Sequence, residues 1–173
     1  MKLLIAYASR QGASRSCAEL LANELNEKVQ ISLADLDKEI PPLDGCDAVV
    51  IGGPVRMGHF PKAVRKYLKT NTERLSKMPC AVFFCCGLAR LADEYRETLL
   101  PRKLKPSLGM HHFGGELKPK KVKGIDKIWV SHLRSSVKSY DFEDSDYSEV
   151  NLPELIPENV KLLAEIIKKL SRK

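Results

Sequence analysis

Unbroken apolar runs occur three times in the first half of the chain, and each is typical of a strand buried on both faces of a parallel sheet. The runs span residues 3–8, 48–51 and 81–86. A fourth segment differs, because Val29, Ile31 and Leu33 alternate with polar or small residues. This alternation predicts a half-exposed strand at a sheet edge. A weaker, glycine-broken candidate for a fifth strand spans residues 109–117.

Helical periodicity fills most of the chain between these runs. Apolar residues recur at helical spacing in three stripes, with charged residues on the opposite faces. The stripes consist of Cys17, Ala18, Leu20, Leu21 and Leu25, of Phe60, Val64, Tyr67 and Leu68, and of Val160, Leu163, Ala164, Ile167 and Leu170. A charged helix is also expected over residues 90–100, and Pro157 marks the start of the last helix.

The alternation of strands and helices predicts an α/β fold with a doubly wound, five-stranded parallel sheet. Because the second strand is half-exposed and the first is fully apolar, the expected strand order is 2-1-3-4-5. Ligands of such sheets bind at the carboxyl ends of the strands, at the switch point between the first and third strands. The loops that follow these two strands are therefore candidate ligand-binding loops.

The turn after the first strand has the features of a phosphate-binding loop. Residues 9–14 read Ser-Arg-Gln-Gly-Ala-Ser and lead directly into a helix that opens near Arg15. Backbone N–H groups and the positive end of the helix dipole would face the mouth of this turn. Ser9 and Ser14 would add hydroxyl groups, and Gly12 would let the backbone approach a ligand closely. A capping serine and a turn glycine explain the same residues equally well.

Several kinds of phosphate loop are excluded by the residues present. The patterns GxxxxGK[ST] and GxGxxG do not occur in this turn, and Ser9 stands where a tyrosine-phosphatase-like loop needs a nucleophilic cysteine. The loop is therefore expected to bind phosphate without hydrolysing it.

A second shaped loop follows the third strand. Residues 51–60 read Ile-Gly-Gly-Pro-Val-Arg-Met-Gly-His-Phe. A flat apolar part of a ligand could lie against Val55 and Met57, with Arg56 supplying a cation. Taken alone, the segment also suits an ordinary turn. Together the two loops predict one pocket with a phosphate end and a planar end.

Charge and composition narrow the classes of partner and location. The formal net charge is +7, which suits acidic partners such as nucleic acid, an anionic membrane surface or a carboxylate-bearing substrate, and equally a solvated lysine-rich surface. Nucleic acid is not expected, because no basic stretch is interleaved with aromatic residues. A cytoplasmic location is expected, because no apolar run approaches the length of a membrane span and no signal-peptide pattern is present.

The cysteines and histidines give little sign of a metal or disulfide framework. Five cysteines without a CxxC pair argue against a zinc ribbon and against structural disulfides. Adjacent Cys85 and Cys86 at the end of an apolar run are more typical of packing residues than of functional thiols. His111 and His112 lack a third ligand at metal spacing, so no metal is expected.

Residues 118–150 are expected to form an insertion before the last helix of a single domain that spans residues 1–173. A basic run, Lys118, Lys120, Lys121 and Lys123, precedes apolar residues that share one helical face, Ile125, Ile128, Trp129, Leu133 and Val137. An acidic tract covers residues 141–149. Such a basic amphipathic helix could make a peripheral membrane contact through residues 118–140, cover a large ligand, or simply pack on the domain.

The two loops resemble those of a known family. The strand, Ser-x-x-Gly-x-Ser turn and helix resemble the FMN phosphate loop of flavodoxins. Residues 51–60 are similar to a subgroup, the flavodoxin-like menaquinone-dependent protoporphyrinogen IX dehydrogenases. The similarity continues through Arg74-Leu75, Met78-Pro79, Ala89-Arg90, Gly115, Leu117 and Asp126-Lys127.

This resemblance implies an FMN cofactor and assigns residues to it. The phosphate would be held by Ser9, Arg10, Gln11, Gly12, Ala13 and Ser14. The isoalloxazine would be flanked on one side by Pro54, Val55, Arg56, Met57 and Gly58, and on the other by Cys86, Gly87 and Leu88. Cys86 stands where the subgroup tends to have a polar amide. Because a flavin carries the redox chemistry itself, no catalytic side chain is expected, and Arg56 is the one side chain expected near the ring or the substrate's carboxylates.

Three functions agree with these residues. The first is an FMN oxidoreductase that acts on a large planar substrate such as protoporphyrinogen IX, with a quinone or another redox partner as acceptor. The second is a flavodoxin-type electron carrier without its own substrate, although such carriers tend to be acidic and this chain is basic. The third is a phosphate-binding or interaction domain that binds no flavin.

Overall fold

A five-stranded sheet forms the centre of the computed structural model, which describes residues 1–25, 29–86, 92–115 and 154–172. Its strands are β1 (Lys2–Tyr7), β2 (Gln30–Asp35), β3 (Ala48–Pro54), β4 (Cys80–Cys85) and β5 (Met110–His112). The helices are α1 (Ala13–Glu24), α2 (Lys62–Thr70), α3 (Thr72–Leu75), α4 (Ala92–Thr98) and α5 (Pro157–Leu170). All strand pairs are parallel, and the order β2-β1-β3-β4-β5 confirms the predicted topology.

Helices cover both faces of the sheet, as a doubly wound fold requires. Helices α1 and α5 pack on the face that carries Leu3, Ile5 and Phe83, and helices α2, α3 and α4 pack on the face that carries Leu4 and Phe84. Strands β3 and β4 are buried along nearly their whole length, which explains their unbroken apolar runs. Each large apolar side chain buried in these layers contributes roughly 1.5–3 kcal/mol to stability.

The strand register brings the carboxyl ends of the central strands together. Tyr7 of β1 pairs with Gly52 of β3, and Pro54 of β3 pairs with Cys85 of β4. The ladder continues past β1, because the amide of Ala8 donates to the carbonyl oxygen of Gly52 at 3.1 Å. The loops that follow β1, β3 and β4 therefore leave the same edge of the sheet.

Strand β2 lies at the sheet edge, as predicted, but its burial does not follow the simple alternation. Leu33 is 42% exposed, whereas Ala34 is buried among Leu36 and Leu43. An edge strand has a neighbouring strand on one side only, so an apolar residue on it is easily left uncovered. The predicted insertion over 118–150, with its basic helix and acidic tract, lies outside the described residues.

Candidate functional site

The first turn of α1 is open to a ligand. The helix begins at Ala13, two residues before the expected position, and Gly12 takes the N-cap position with φ of 99°. The N-cap residue itself makes no side-chain hydrogen bond to the helix, and no acidic residue occurs in the first turn. A Cβ on Gly12 would meet nothing within 4 Å. The glycine is therefore required by its left-handed backbone conformation and not by crowding.

Hydrogen bonds close the base of this loop and leave donors at its mouth. The amide of Arg15 donates to Oγ of Ser9 at 3.2 Å, and the amide of Ser16 donates to the carbonyl oxygen of Gly12 at 2.8 Å. Among the described residues, the N–H groups of Ala13 and Ser14 have no hydrogen-bond acceptor. Unpaired N–H groups at a helix N-terminus are the usual donors to a bound anion.

Ser14 is a buried polar residue with an unpaired hydroxyl. It is 1% exposed, and within the described part of the chain its Oγ is the one buried side-chain oxygen or nitrogen without a hydrogen-bond partner. Ser14 lies on the buried stripe of α1, one turn before Cys17, whose Sγ lies 3.8 Å from Sγ of Cys85. A buried hydroxyl without a partner costs about 1–3 kcal/mol, which a ligand acceptor would recover.

The two arginines of the loop are in different environments. Arg15 reaches across to the end of β2, where its guanidinium lies 3.2 Å from Oδ2 of Asp35. Tyr7 and then Asp35 raise the pKa of Arg15 above its usual value. Arg10 is exposed and forms no ion pair with any described residue. Arg10 is therefore the cation of this loop that is not committed to a carboxylate.

The loop after β3 forms a tight hairpin. Arg56 and His59 exchange backbone hydrogen bonds of 2.9 and 3.0 Å, and the two residues between them have positive φ angles, 49° for Met57 and 75° for Gly58. This combination is typical of a type I′ turn. Met57 is 75% exposed at its tip, whereas Val55 is buried and its amide donates to Cys85. Val55 and Met57 were both predicted to face a planar ligand, and of the two only Met57 has an exposed apolar side chain.

Cys85 and Cys86 face opposite sides of the sheet at the end of β4. Cys85 packs towards α1, and Cys86 packs with the layer that includes Tyr95 of α4. Burial raises the pKa of Tyr95, and the neighbouring Cys86 thiol raises it further. The Cys86 side chain is therefore directed into this layer. Gly87 and Leu88, predicted to follow it along the ring, lie outside the described residues.

The backbone of Cys86 is bound on both sides by the segment around β5. Its amide donates to the carbonyl oxygen of Gly114 at 2.8 Å, and its carbonyl oxygen lies 2.9 Å from Nε2 of His112. His112 is 6% exposed. The sequence pattern of His111 and His112 raised only the question of a metal ligand and did not predict this contact. No pattern in the sequence reveals this contact, because β5 has only three residues.

The described residues contain neither a metal site nor a membrane-spanning helix. No group of three or more His, Cys, Asp or Glu residues there is arranged to hold a metal ion. No helix there is both long enough and apolar enough to cross a membrane.

The comparisons with known proteins agree with this geometry. A family model described as a flavodoxin domain matches residues 4–144. The chain belongs to the flavodoxin domain family. Membership in the flavodoxin domain family indicates a flavin cofactor.

Curated relatives of this flavodoxin domain carry a common name. Protoporphyrinogen IX dehydrogenase [quinone] of Escherichia coli (strain K12) is 38% identical over 96 residues, which are 54% of this chain and 53% of that protein. The protein of the same name from Leishmania major is 30% identical over 100 residues, which are 56% of this chain and 43% of that protein. The chain thus spans about half the length of the curated relatives it matches. These matches confirm the resemblance to that subgroup.

Solved flavodoxin structures share the fold across the whole chain. A flavodoxin from the domain Archaea has a TM-score of 0.56 at 14% identity and is covered in full, as is this chain. A short-chain flavodoxin associated with a non-canonical PDU bacterial microcompartment has a TM-score of 0.59 at 11% identity, with 99% of each chain covered. At these identities the likeness shows the fold alone.

Proposed function

We propose that this protein is an FMN-dependent oxidoreductase that oxidises a large planar substrate of the protoporphyrinogen type and passes the electrons to a quinone-type acceptor. The observation that carries the proposal is the open N-terminus of α1, with its unpaired N–H groups and the unpaired hydroxyl of Ser14. The 38% identity to proteins named protoporphyrinogen IX dehydrogenase [quinone] supports the choice of substrate and acceptor.

The residues of the first loop fit a terminal phosphate. A phosphate dianion would supply acceptors to the N–H groups of Ala13 and Ser14 and to the orphaned Oγ of Ser14. Arg10 would add positive charge, and Gly12 leaves room for the anion because a Cβ there would touch nothing. FMN ends in such a phosphate and riboflavin does not, so the loop would discriminate between them.

The second loop and the end of β4 would hold the ring and the substrate. The flavin, when bound, supplies the two-electron chemistry, and the protein contributes position and polarity. The backbone from Pro54 to Gly58 and the backbone of Cys86 would flank the ring. The exposed Met57 would provide apolar contact, and Arg56 would face carboxylates of the substrate. We assign no proton transfer to a side chain of this protein.

Residues 118–140 carry a separate part of the proposal. Their basic amphipathic pattern suits a peripheral contact with an anionic membrane, where a quinone acceptor would be located. Co-sedimentation with anionic liposomes, compared between the wild type and a Trp129→Ala, Leu133→Ala double variant, tests this contact. Reduced sedimentation of the double variant is expected, and equal sedimentation would reject this segment as the membrane contact.

The first experiment is the visible absorption spectrum of the purified protein after incubation with excess FMN and gel filtration. Retained flavin with two visible bands is expected, and riboflavin in place of FMN should be lost on the column. If neither is retained, the flavin assignment is wrong. The second experiment measures oxidation of protoporphyrinogen IX with menadione as acceptor. Retained FMN without turnover would favour an electron carrier of the flavodoxin type.

A further inference from the structure

His112 is an unusual residue for its position. It is buried at the end of β5, and its ring stacks on Phe84 with centroids 5.0 Å apart and an interplanar angle of 21°. The Phe83–Phe113 pair on the other face of the sheet has a similar geometry, with an angle of 19°. An aromatic hydrocarbon side chain would fill such a space without the desolvation cost of an imidazole. A polar ring here therefore calls for an explanation beyond packing.

The hydrogen bond made by the imidazole ring explains why a polar residue occupies this position. Nε2 of His112 lies 2.9 Å from the carbonyl oxygen of Cys86. Because a carbonyl oxygen only accepts, the ring donates from Nε2 to that oxygen. Cys86 directly follows β4 and is one of the residues that we expect to flank the flavin ring. His112 thus binds the peptide group at the point where the sheet passes into the ligand-binding loop.

The backbone of His112 is itself held in place. Nδ2 of Asn159, in the first turn of α5, donates to the carbonyl oxygen of His112 at 2.7 Å. The amide of Phe113 donates to the carbonyl oxygen of Phe84 at 3.0 Å, and the amide of Cys86 donates to Gly114. The ring therefore extends from a fixed backbone, and the peptide groups on both sides of Cys86 are held by residues of β5 and the segment after it.

The two buried polar residues of the described chain occur at the same end of the sheet. Ser14 lies beneath the first loop, and His112 lies beneath the start of the loop after β4. Oγ of Ser14 has no hydrogen-bond partner among the described residues, whereas the ring of His112 has one. The first is suited to bind a ligand directly, and the second is suited to hold a ligand-binding segment in place.

We propose that His112 is a positioning residue for the cofactor. Through its hydrogen bond to the Cys86 carbonyl it fixes the backbone of Cys86, one of the residues assigned to the flavin ring, and so sets the affinity of the protein for FMN and the reduction potential of the bound flavin. This inference rests on the flavin-binding function proposed above. Fixing the peptide before the cofactor arrives lowers the ordering cost of binding, and polar groups held near the ring change the oxidised and reduced forms unequally.

Three variants test the proposal. His112→Phe keeps an aromatic ring on Phe84 and removes the donor, His112→Gln keeps a donor of similar reach, and His111→Phe is the matched control. His111 also bonds a backbone carbonyl, that of Leu108 at 2.8 Å, but on the other side of β5 and away from the loops. The measurements are the FMN dissociation constant, from quenching of flavin fluorescence, and the flavin midpoint potential.

His112→Phe should weaken FMN binding about tenfold, the loss expected for one buried hydrogen bond, and should shift the midpoint potential. His112→Gln should restore both quantities most of the way, and His111→Phe should change neither. A structural role alone would lower thermal stability in both histidine-to-phenylalanine variants and leave the potential unchanged. Wild-type affinity and potential in His112→Phe, or no recovery in His112→Gln, would overturn the proposal.

A measurement on the wild type covers the case in which His112→Phe does not fold. In ¹⁵N NMR spectra of the FMN-bound protein, the ring of His112 should be protonated at Nε2, with a slowly exchanging proton. A ring protonated only at Nδ1 has no donor for Cys86 and would refute the proposal. Failure of the proposed function gives a different result, because the wild type itself would then retain no FMN.

Discussion

A Cβ placed on Gly52 would lie 2.3 Å from Cδ1 of Phe83 in the neighbouring strand. The phenyl ring cannot move away easily, because it is fully buried and stacks on Phe113 with centroids 4.9 Å apart. Gly52→Ala should therefore destabilise the fold by about 3 kcal/mol, the upper part of the range for overpacking. Urea unfolding followed by circular dichroism measures this loss.

Gly53→Ala is the matched control for that substitution. Its Cβ would meet Cγ2 of Val64 at 3.2 Å and the carbonyl oxygen of Ala8 at 3.4 Å, so that shifts of a few tenths of an ångström would relieve the contact. A much smaller loss of stability is expected. Equal losses in the two variants would show that crowding by Phe83 is not the reason for the glycine at position 52.

Ser14→Ala should separate ligand binding from stability. Removal of a buried hydroxyl that has no partner should leave the free energy of unfolding of the apoprotein unchanged or raise it by about 1 kcal/mol. The same change should weaken FMN binding about tenfold, because the phosphate loses a donor. Flavin fluorescence titration and urea unfolding give the two values. Ser16→Ala, exposed on the same helix, should alter neither, and a Ser14→Ala variant that binds FMN normally would remove Ser14 from the phosphate site.

Gly12 allows a test of backbone conformation alone. Since a Cβ at this position has open space around it, Gly12→Ala should cost about 1–2 kcal/mol through the left-handed φ and nothing through crowding. Gly12→Asn should cost less, because asparagine tolerates this conformation better. Thermal unfolding measures the stability of the three proteins. The wild type should be the most stable, followed by Gly12→Asn and then by Gly12→Ala. An alanine variant as stable as the wild type would contradict the assigned backbone conformation.

His111 should make stability depend on pH. Burial lowers its pKa below the usual 6.5, with the charge of Arg96 acting in the same direction and the hydrogen bond to Leu108 opposing both. The unfolded chain therefore binds this proton more readily than the folded protein does. Stability is complete above the unfolded pKa of about 6.5 and is lost as the pH falls below it.

A His111→Gln variant should consequently lose less stability than the wild type between about pH 7 and pH 5. Urea unfolding at several pH values provides the comparison, and His59→Gln, at an exposed position, serves as the control. If the free energies of unfolding of the wild type and of His111→Gln fall in parallel across this pH range, the buried imidazole is not the source of the pH dependence.

The topology could be predicted because its determinants are local. The apolar runs of β1, β3 and β4 reflect burial on both faces, and the alternation in β2 reflects an edge strand; together these signals specify the strand order. The exposure of Leu33 could not be foreseen, since it depends on how far the neighbouring layer extends over the edge. The start of α1 was misplaced by two residues, because Gly12 and not Ser14 takes the N-cap position.

The position of the candidate site in the fold could be predicted from the sequence, but the contacts of its individual side chains could not. The two loops lie at the edge of the sheet where the pattern placed them, while the assignment of individual residues to a flavin stays a prediction. The contact between His112 and Cys86 joins residues that are 26 positions apart. Such a contact depends on the register of β4 and β5, and β5 is a strand of three residues whose pattern is too short to reveal which side chain faces inward.

The two unpaired amides in the first turn of α1 have a consequence for the lifetime of the protein. The N–H groups of Ala13 and Ser14 have no acceptor among the described residues, so the phosphate of the cofactor would complete the capping of that turn. Binding at a hundredfold excess over the dissociation constant would add about 2.7 kcal/mol to the free energy of unfolding. Proteases act on opened chains, and apoprotein would open more often than holoprotein. The abundance of this protein would then follow the supply of FMN, with surplus chain removed whenever the vitamin from which FMN is made runs short.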